Sequence, residues 1–278
     1  MDPLTLTLLL LALPLGILIG LGAGIIGMTA WTLIVPLLLV FGGYPLHEVL
    51  LSSLLIDLLI AIILSYFYLT RSEVDVDGVY GVKLGVVAGV MATVTAIIAF
   101  PLLTQYSNLF EGGSALVTMV LGSLFIVQAI RMDNSSSKIA VRESETTERF
   151  TKMQRDMIVY GFCIIQGLLT GILAIGGAMN IVIVLIFIIG YPTLRAVGTA
   201  MVTTAIMLLM LVVTYLILLQ FIITTLPVLV FYLAVAGISS YFSVTRAQNI
   251  SERKLRLTIG IVALIAAILA AVQVYLIG

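Results

Sequence analysis

Eight stretches of this chain are long enough, and poor enough in charge, to cross an apolar layer: 4–27, 46–69, 79–101, 113–131, 156–174, 193–218, 222–245 and 254–277. A helix needs about 20 residues to span a hydrocarbon core of ~30 Å. Hydrophobic residues fill 62% of the 278 positions and charged residues 9%, against about 45–50% and roughly 25% in soluble domains. So few charges cannot cover a water-facing surface, and most of the exterior must face lipid. The formal net charge of zero argues against a nucleic-acid partner. The single cysteine, Cys163, excludes an internal disulfide framework. No Lys or Arg precedes Arg71, so the first run lacks the positive flank of a secretory signal and reads as a retained span.

Two further apolar runs, 30–42 and 178–190, are too short to cross. They reach roughly 20 Å as helices, which makes them half-spans or re-entrant segments. Each follows a helix-breaking patch: Gly22, Gly24 and Gly27 before the first, Gly171, Gly176 and Gly177 before the second. The ten segments form two sets of five, and the sets match. An ungapped shift of 147 residues superposes 20–45 on 167–192 with ten identities in 26 positions. Gly20 meets Gly167, Gly24 meets Gly171, and Gly43-Tyr44-Pro45 meets Gly190-Tyr191-Pro192. Further on, Ser52 meets Thr199 and Tyr68 meets Tyr215. Common origin of the halves is the better explanation of an ungapped offset.

Between them, 132–155 is the long polar stretch of the chain and reads as a solvated linker. Six Lys/Arg lie between Arg131 and Arg155, and Arg246, Arg253, Lys254 and Arg256 cluster in the last loop, whereas 101–112 and 218–222 contain none. Placing both basic loops in the cytoplasm sends 46–69 inward and 193–218 outward, so the halves run in opposite directions and both termini lie outside. The expected fold is therefore all-α: a polytopic membrane helix bundle, an inverted five-plus-five repeat with two broken or re-entrant short helices. The first repeat is 1–131, the cytoplasmic linker 132–155 and the inverted second repeat 156–278.

Inverted repeats with interrupted helices are a transporter plan, with substrate held near the midplane where broken helices present backbone groups. A helix N-terminus offers free N–H donors and a positive dipole end, which suit an anion. Thr29 is the expected N-cap of the first short helix, with Thr32 one turn on. Gly176 and Gly177 would let backbone approach a ligand, and Asn180 adds a neutral donor and acceptor. Glycine pairs such as Gly20/Gly24 and Gly167/Gly171 equally suit close helix packing. Asp57 is the one ionisable residue near the middle of an expected span. Burying it costs at least ~2.5–3.5 kcal/mol, so it should face the interior, either to couple transport to a proton or cation or to accept helix-to-helix hydrogen bonds. Arg195 could greet an anion at the cytoplasmic mouth, or extend to the headgroups. With one His and one Cys no metal-ligand cluster is expected. No nucleophile–base pair and no phosphate loop is visible, which argues against an enzyme or a resident cofactor.

The glycine patch, short apolar run, Gly-x-Pro turn and small-polar helix, repeated twice, resemble the sulfite exporter TauE/SafE family. The second half carries Gly167-L-L-T-Gly171-I-L-A-I-Gly176-Gly177 and Gly190-YPTLR-Ala196-V-Gly198-Thr199; the first carries Gly20-L-G-A-Gly24-I-I-Gly27, Val35-Pro36-Leu37-Leu38 and Gly43-YPLHEVLL-Ser52-Ser53. Met28-Thr29-Ala30 replaces the expected triple glycine, and Ile183 stands opposite Pro36. The resemblance implies a transporter of sulfite, sulfonates or related small anions in the cell membrane, with Thr29, Thr32, Ser52, Ser53, Asn180 and Thr199 as neutral donors around the anion. The expected partners are that anion, the lipid bilayer and a coupling proton or sodium ion; oligomeric state stays open. Alternatives are an anion channel and a non-transporting membrane assembly subunit.

Overall fold

A computed structural model describes residues 3–70, 75–105, 151–174, 176–219 and 225–246, together with isolated helical positions in 116–130 and 254–268. Residues 132–150, and most of the expected spans 113–131 and 254–277, lie outside the described residues. Among those described, all regular structure is helical: α1 Pro3–Ile26, α2 Trp31–Gly42, α3 Leu46–Thr70, α4 Gly78–Gln105, α5 Lys152–Leu173, α6 Ala178–Ile189, α7 Thr193–Leu218 and α8 Leu226–Arg246. Five of them, α3, α4, α5, α7 and α8, are long and apolar enough to cross a membrane.

Local chemistry sets the boundaries. Gly43 and Gly190 adopt left-handed φ of 59° and 82°, and their N–H groups close back on Leu39 O and Ile186 O. That αL cap ends α2 and α6, and Pro45 and Pro192 then start the next helix with φ already fixed. The Gly-Tyr-Pro triplets are thus stop-and-start signals. α5 begins at Lys152, inside the stretch expected to be linker, because Thr151 and Gln154 form a capping box that meets two of the free N–H groups at its start. The last turn of α6, Leu185–Ile189, widens to a π-turn.

The bundle is sorted by size more than by polarity. On α4, Val82, Val86, Val90 and Val94 point outward, while Ala88, Ala92 and Ala96 are fully buried. A Cβ added at Gly81, Gly85 or Gly89 would lie 2.6–3.0 Å from atoms of α7. Lipid tails give apolar side chains no reason to hide, so small residues that allow close backbone approach decide which faces meet. The paired glycines obey this rule. A Cβ at Gly20 would lie 1.9 Å from Ser239 Oγ, one at Gly24 1.6 Å from Ser243 Oγ, one at Gly167 2.3 Å from Ala88 O and one at Gly171 2.0 Å from Thr95 Oγ1. All four serve helix packing. Moreover, α1 packs on α8 and α5 on α4, α2 on α3 and α6 on α7, while α3 and α7 pack on each other. Pairing α1 with α5, α2 with α6, α3 with α7 and α4 with α8 maps each contact onto another.

The two ends of the bundle differ. At one, His47, Phe100 and Tyr215 stack edge to face. At the other, Tyr191 and Arg195 meet Asp77 at the start of α4, and Arg155 at the start of α5 reaches Ile189 O at the end of α6. Gly171→Leu should lower the stability by at least about 2 kcal/mol through overpacking. Gly161→Ala, where a Cβ meets nothing within 4 Å, should be neutral or stabilising by up to ~1 kcal/mol. Thermal unfolding in detergent distinguishes the two; equal effects would contradict the packing described.

Candidate functional site

The two helix breaks have the same construction. After α1, Gly27 turns left-handed (φ 71°) and its N–H bonds to Ala23 O at 3.0 Å; the next N–H, of Met28, reaches Gly22 O. After α5, Ala174 turns left-handed (φ 54°) and bonds to Thr170 O at 2.7 Å. Gly27 and Ala174 are 147 residues apart, as are their acceptors. Ala174 is the one non-glycine among the described residues with positive φ, a conformation that costs an L-residue roughly 1–2 kcal/mol.

The chain then re-enters a helix, and the first N–H groups of any helix have no partner inside it. Thr29 was the expected N-cap of α2, but α2 starts at Trp31 with Ala30 as N-cap and no local side-chain cap. The acceptor comes from a different helix: Ala30 N–H donates to Asp57 Oδ1 of α3 at 2.5 Å. A carboxylate outcompetes a threonine hydroxyl here because its charge also favours the positive end of the helix dipole. Asp57 is only 6% exposed, and its second oxygen, Oδ2, is buried without a partner. Gly176, just before α6, passes so close that a Cβ there would lie 2.8 Å from Asp57 Oδ2 and 2.8 Å from Thr29 Cγ2. Both breaks therefore converge on one carboxylate.

Asp57 and Thr29 line a small cavity with Ala23, Met28, Ala178, Met201 and Thr204. Its volume of about 10 Å³ is close to the least that holds one water molecule. Thr204, on α7, is 147 residues from Asp57, and its Oγ1 is buried without a hydrogen bond. The two helices thus present a carboxylate and a hydroxyl to the same point.

A second polar knot lies beside it. Gln166 of α5 donates from Nε2 to Thr170 Oγ1 at 3.1 Å and accepts from Asn180 Nδ2 at 3.0 Å. Gly177 packs against its side chain, leaving a Cβ only 2.4 Å from Cδ. Asn180 is exposed and joins Gln166 rather than Asp57. Thr32 is buried on α2 but does not line the cavity. Ser53 Oγ donates to Leu50 O. Ser52 Oγ donates to Glu48 O and meets Thr225 Oγ1 at 2.7 Å, while Thr199 Oγ1 accepts Asp77 N–H. These two fasten α3 and α7 to the starts of α8 and α4. Thr29, Asp57 and Gly176 are therefore brought together; Ser52, Ser53 and Thr199 are engaged elsewhere.

Arg195 is neutralised where it stands. It pairs with Asp75 at 2.9 Å and Asp77 at 4.0 Å, and it lies 4.3 Å above the Tyr191 ring. Burial and the bond to Asp77 push the Tyr191 phenol up to about 12, so it stays a donor to that carboxylate. Thr204 and Gln166 were not singled out from sequence. The signals were available: Thr204 is the repeat partner of Asp57, and Gln166 is an amide in an apolar run beside Gly167. Among the described residues no three His, Cys, Asp or Glu side chains are grouped to hold a metal ion.

Residues 12–270 match the family Sulfite exporter TauE/SafE. The chain belongs to that family. No curated protein and no solved structure matches it. Membership makes it a multi-pass membrane protein of a transporter family whose cargo is sulfite and related sulfur compounds, and the apolar helices fit that placement. In this TauE/SafE member the expected triple glycine is replaced by residues of which one, Ala30, supplies the N–H that holds Asp57.

The caps give a direct check. Ala174→Gly should stabilise the protein by about 0.5–1 kcal/mol, since the relief of left-handed strain exceeds the added chain entropy. Gly27→Ala should cost about 1–2 kcal/mol for the same reason. Opposite signs in detergent unfolding curves are expected; matching signs would contradict the shared cap geometry.

Proposed function

We propose that this TauE/SafE member is a secondary transporter that carries a small sulfur-containing or organic anion across the cell membrane by alternating access. Residues 1–131 and 156–278 form two inverted halves, the linker 132–155 lies in the cytoplasm and both termini lie outside. The matching caps, the matching helix contacts and the opposite ends reached by α2 and α6 support this division.

The observation that carries the mechanism is Asp57 at the head of α2, facing the approach to α6. A helix start is an anion site by its free N–H groups and dipole. In this conformation the protein's own carboxylate fills that place, and the remaining cavity of about 10 Å³ cannot admit a sulfite-sized ion. The state is closed. Substrate enters only when the breaks part and Asp57 releases Ala30 N–H. Protonation weakens the acceptor and favours release, so anion binding and proton uptake are linked. When the ion enters, Thr29, Thr204 and the backbone at Gly176 and Gly177 are the donors nearest to it. Thr32, Ser52, Ser53, Asn180 and Thr199 extend the polar lining when the halves rock. A cavity this small favours a carrier over a channel, which would need a continuous path wide enough for the solute.

Among the described residues no other titratable side chain lines the cavity, so one group should govern the coupling. Reconstituted vesicles should show sulfite or sulfonate flux that responds to a pH gradient. Asp57→Asn should keep the fold and lose that response. Flux of no sulfur oxyanion, sulfonate or carboxylate would overturn transport; unchanged gradient dependence in the Asp57→Asn protein would remove Asp57 from coupling.

A further inference from the structure

The bundle's two ends differ in character. At the Arg195 end a cavity of about 440 Å³ opens between the starts of α4 and α5 and the end of α6. Lys83, Lys152 and Arg155 line it, together with Asp77 and Asp156. The carboxylates are already engaged. Asp156 Oδ1 accepts the Tyr80 hydroxyl at 3.0 Å; Asp77 accepts Tyr80 N–H on one oxygen and the Tyr191 hydroxyl on the other, both at 3.0 Å. The cations are not. Among the described residues, the side chains of Lys83 and Lys152 have neither a hydrogen bond nor an ion pair. Arg155 spends one nitrogen on Ile189 O at 3.4 Å, and its Nε is buried without a partner. The guanidinium has terminal N–H donors beyond the one given to Ile189 O, and an oxyanion in the cavity can accept from them.

This charge is not a by-product of lying at a bundle end. At the offset of 147, the counterparts of Arg155 and Asp156 in α1 are Leu8 and Leu9. Between α4 and α8 the matching contacts are offset by 148, as Thr95 opposite Gly171 and Ser243 opposite Gly24 demonstrate. On that register the counterparts of Tyr80 and Lys83 are Val228 and Phe231. At these four positions the polar cavity departs from the repeat. It also lies where α6 widens into its π-turn, a local distortion found often at functional sites.

We infer that this cavity is a second anion site, separate from the Asp57 site, which binds one oxyanion group through Arg155, Lys83 and Lys152. The group is either the sulfonate or sulfite of the solute, held at the mouth before entry, or the phosphate of an anionic lipid headgroup. The solute case rests on the anion-transport reading; the lipid case does not.

Calorimetric titration of the full chain in detergent tests it with two probes, sodium methanesulfonate and dihexanoyl phosphatidylglycerol. At least one should bind saturably. Lys83→Gln removes a charge that has no hydrogen bond or ion pair among the described residues, and should weaken that binding about tenfold, as should Arg155→Gln. Saturation by methanesulfonate assigns the site to solute, and saturation by the lipid alone assigns it to a headgroup. Binding of neither probe, or wild-type binding by both variants, overturns the inference. Vesicle flux with no cavity binding would reject this site and leave transport standing. Cavity binding without flux would do the reverse.

Discussion

A broken helix inside a membrane strands backbone N–H groups where no water can reach them, and each one left unmet is costly. At the head of α2 that demand is met by Asp57 from a neighbouring helix. The same bond offsets part of the cost of burying the carboxyl group, since a buried polar or charged group needs a partner. The remaining oxygen stays unmatched beside Gly176. One interaction thus ties the first break to α3 and brings the second break against it, while leaving an unspent acceptor at the centre. A fully satisfied centre would be rigid. This one has a buried carboxylate oxygen and a buried threonine hydroxyl without partners, both aimed at the space between the halves.

The surrounding bundle makes that closeness possible. Glycines and alanines let α1 meet α8 and α5 meet α4 at backbone distance, and serines reinforce the contact, as where Ser239 Oγ donates to Gly16 O. The symmetry of these contacts is more exact than that of the polar groups they surround. Asp57 has a hydroxyl as its counterpart, and Arg155, Asp156, Tyr80 and Lys83 of the charged cavity have Leu8, Leu9, Val228 and Phe231 as theirs. Packing constrains both halves alike. Directional function requires that they differ, and the differences are where the chemistry lies.

Much of this was legible in the sequence because its signals are local. Gly43 and Gly190 end helices by their backbone freedom, so both short helices were placed to within a residue or two. The apolar run lengths gave the long helices among the described residues, and the centre of 46–69 marked Asp57 as interior. What sequence could not provide was the partner of each polar group. Thr29 was the obvious cap because capping is usually local, yet the stronger acceptor arrives from 27 residues away. Arg195 read as a free charge because Asp75 and Asp77 lie 120 and 118 positions earlier in the chain. Ser52 and Thr199 were matched as repeat equivalents, but their role of fastening neighbouring helices depends on tertiary contacts. Gln166 and Thr204 were passed over because a lone amide or hydroxyl in an apolar run gains meaning only when its neighbours are known.

In the proposed cycle the two breaks meet at the centre and part during transport. A Cβ at position 176 would lie 3.3 Å from Thr29 Cβ, near the ~3.5–4.5 Å that a disulfide spans. The most direct measurement is oxidative cross-linking of a Thr29→Cys, Gly176→Cys protein in a Cys163→Ser background, with vesicle flux recorded before and after reduction. The two cysteines should join readily under mild oxidant, flux should stop, and reductant should restore it. Failure to cross-link, or undiminished flux through the cross-linked protein, would contradict the account.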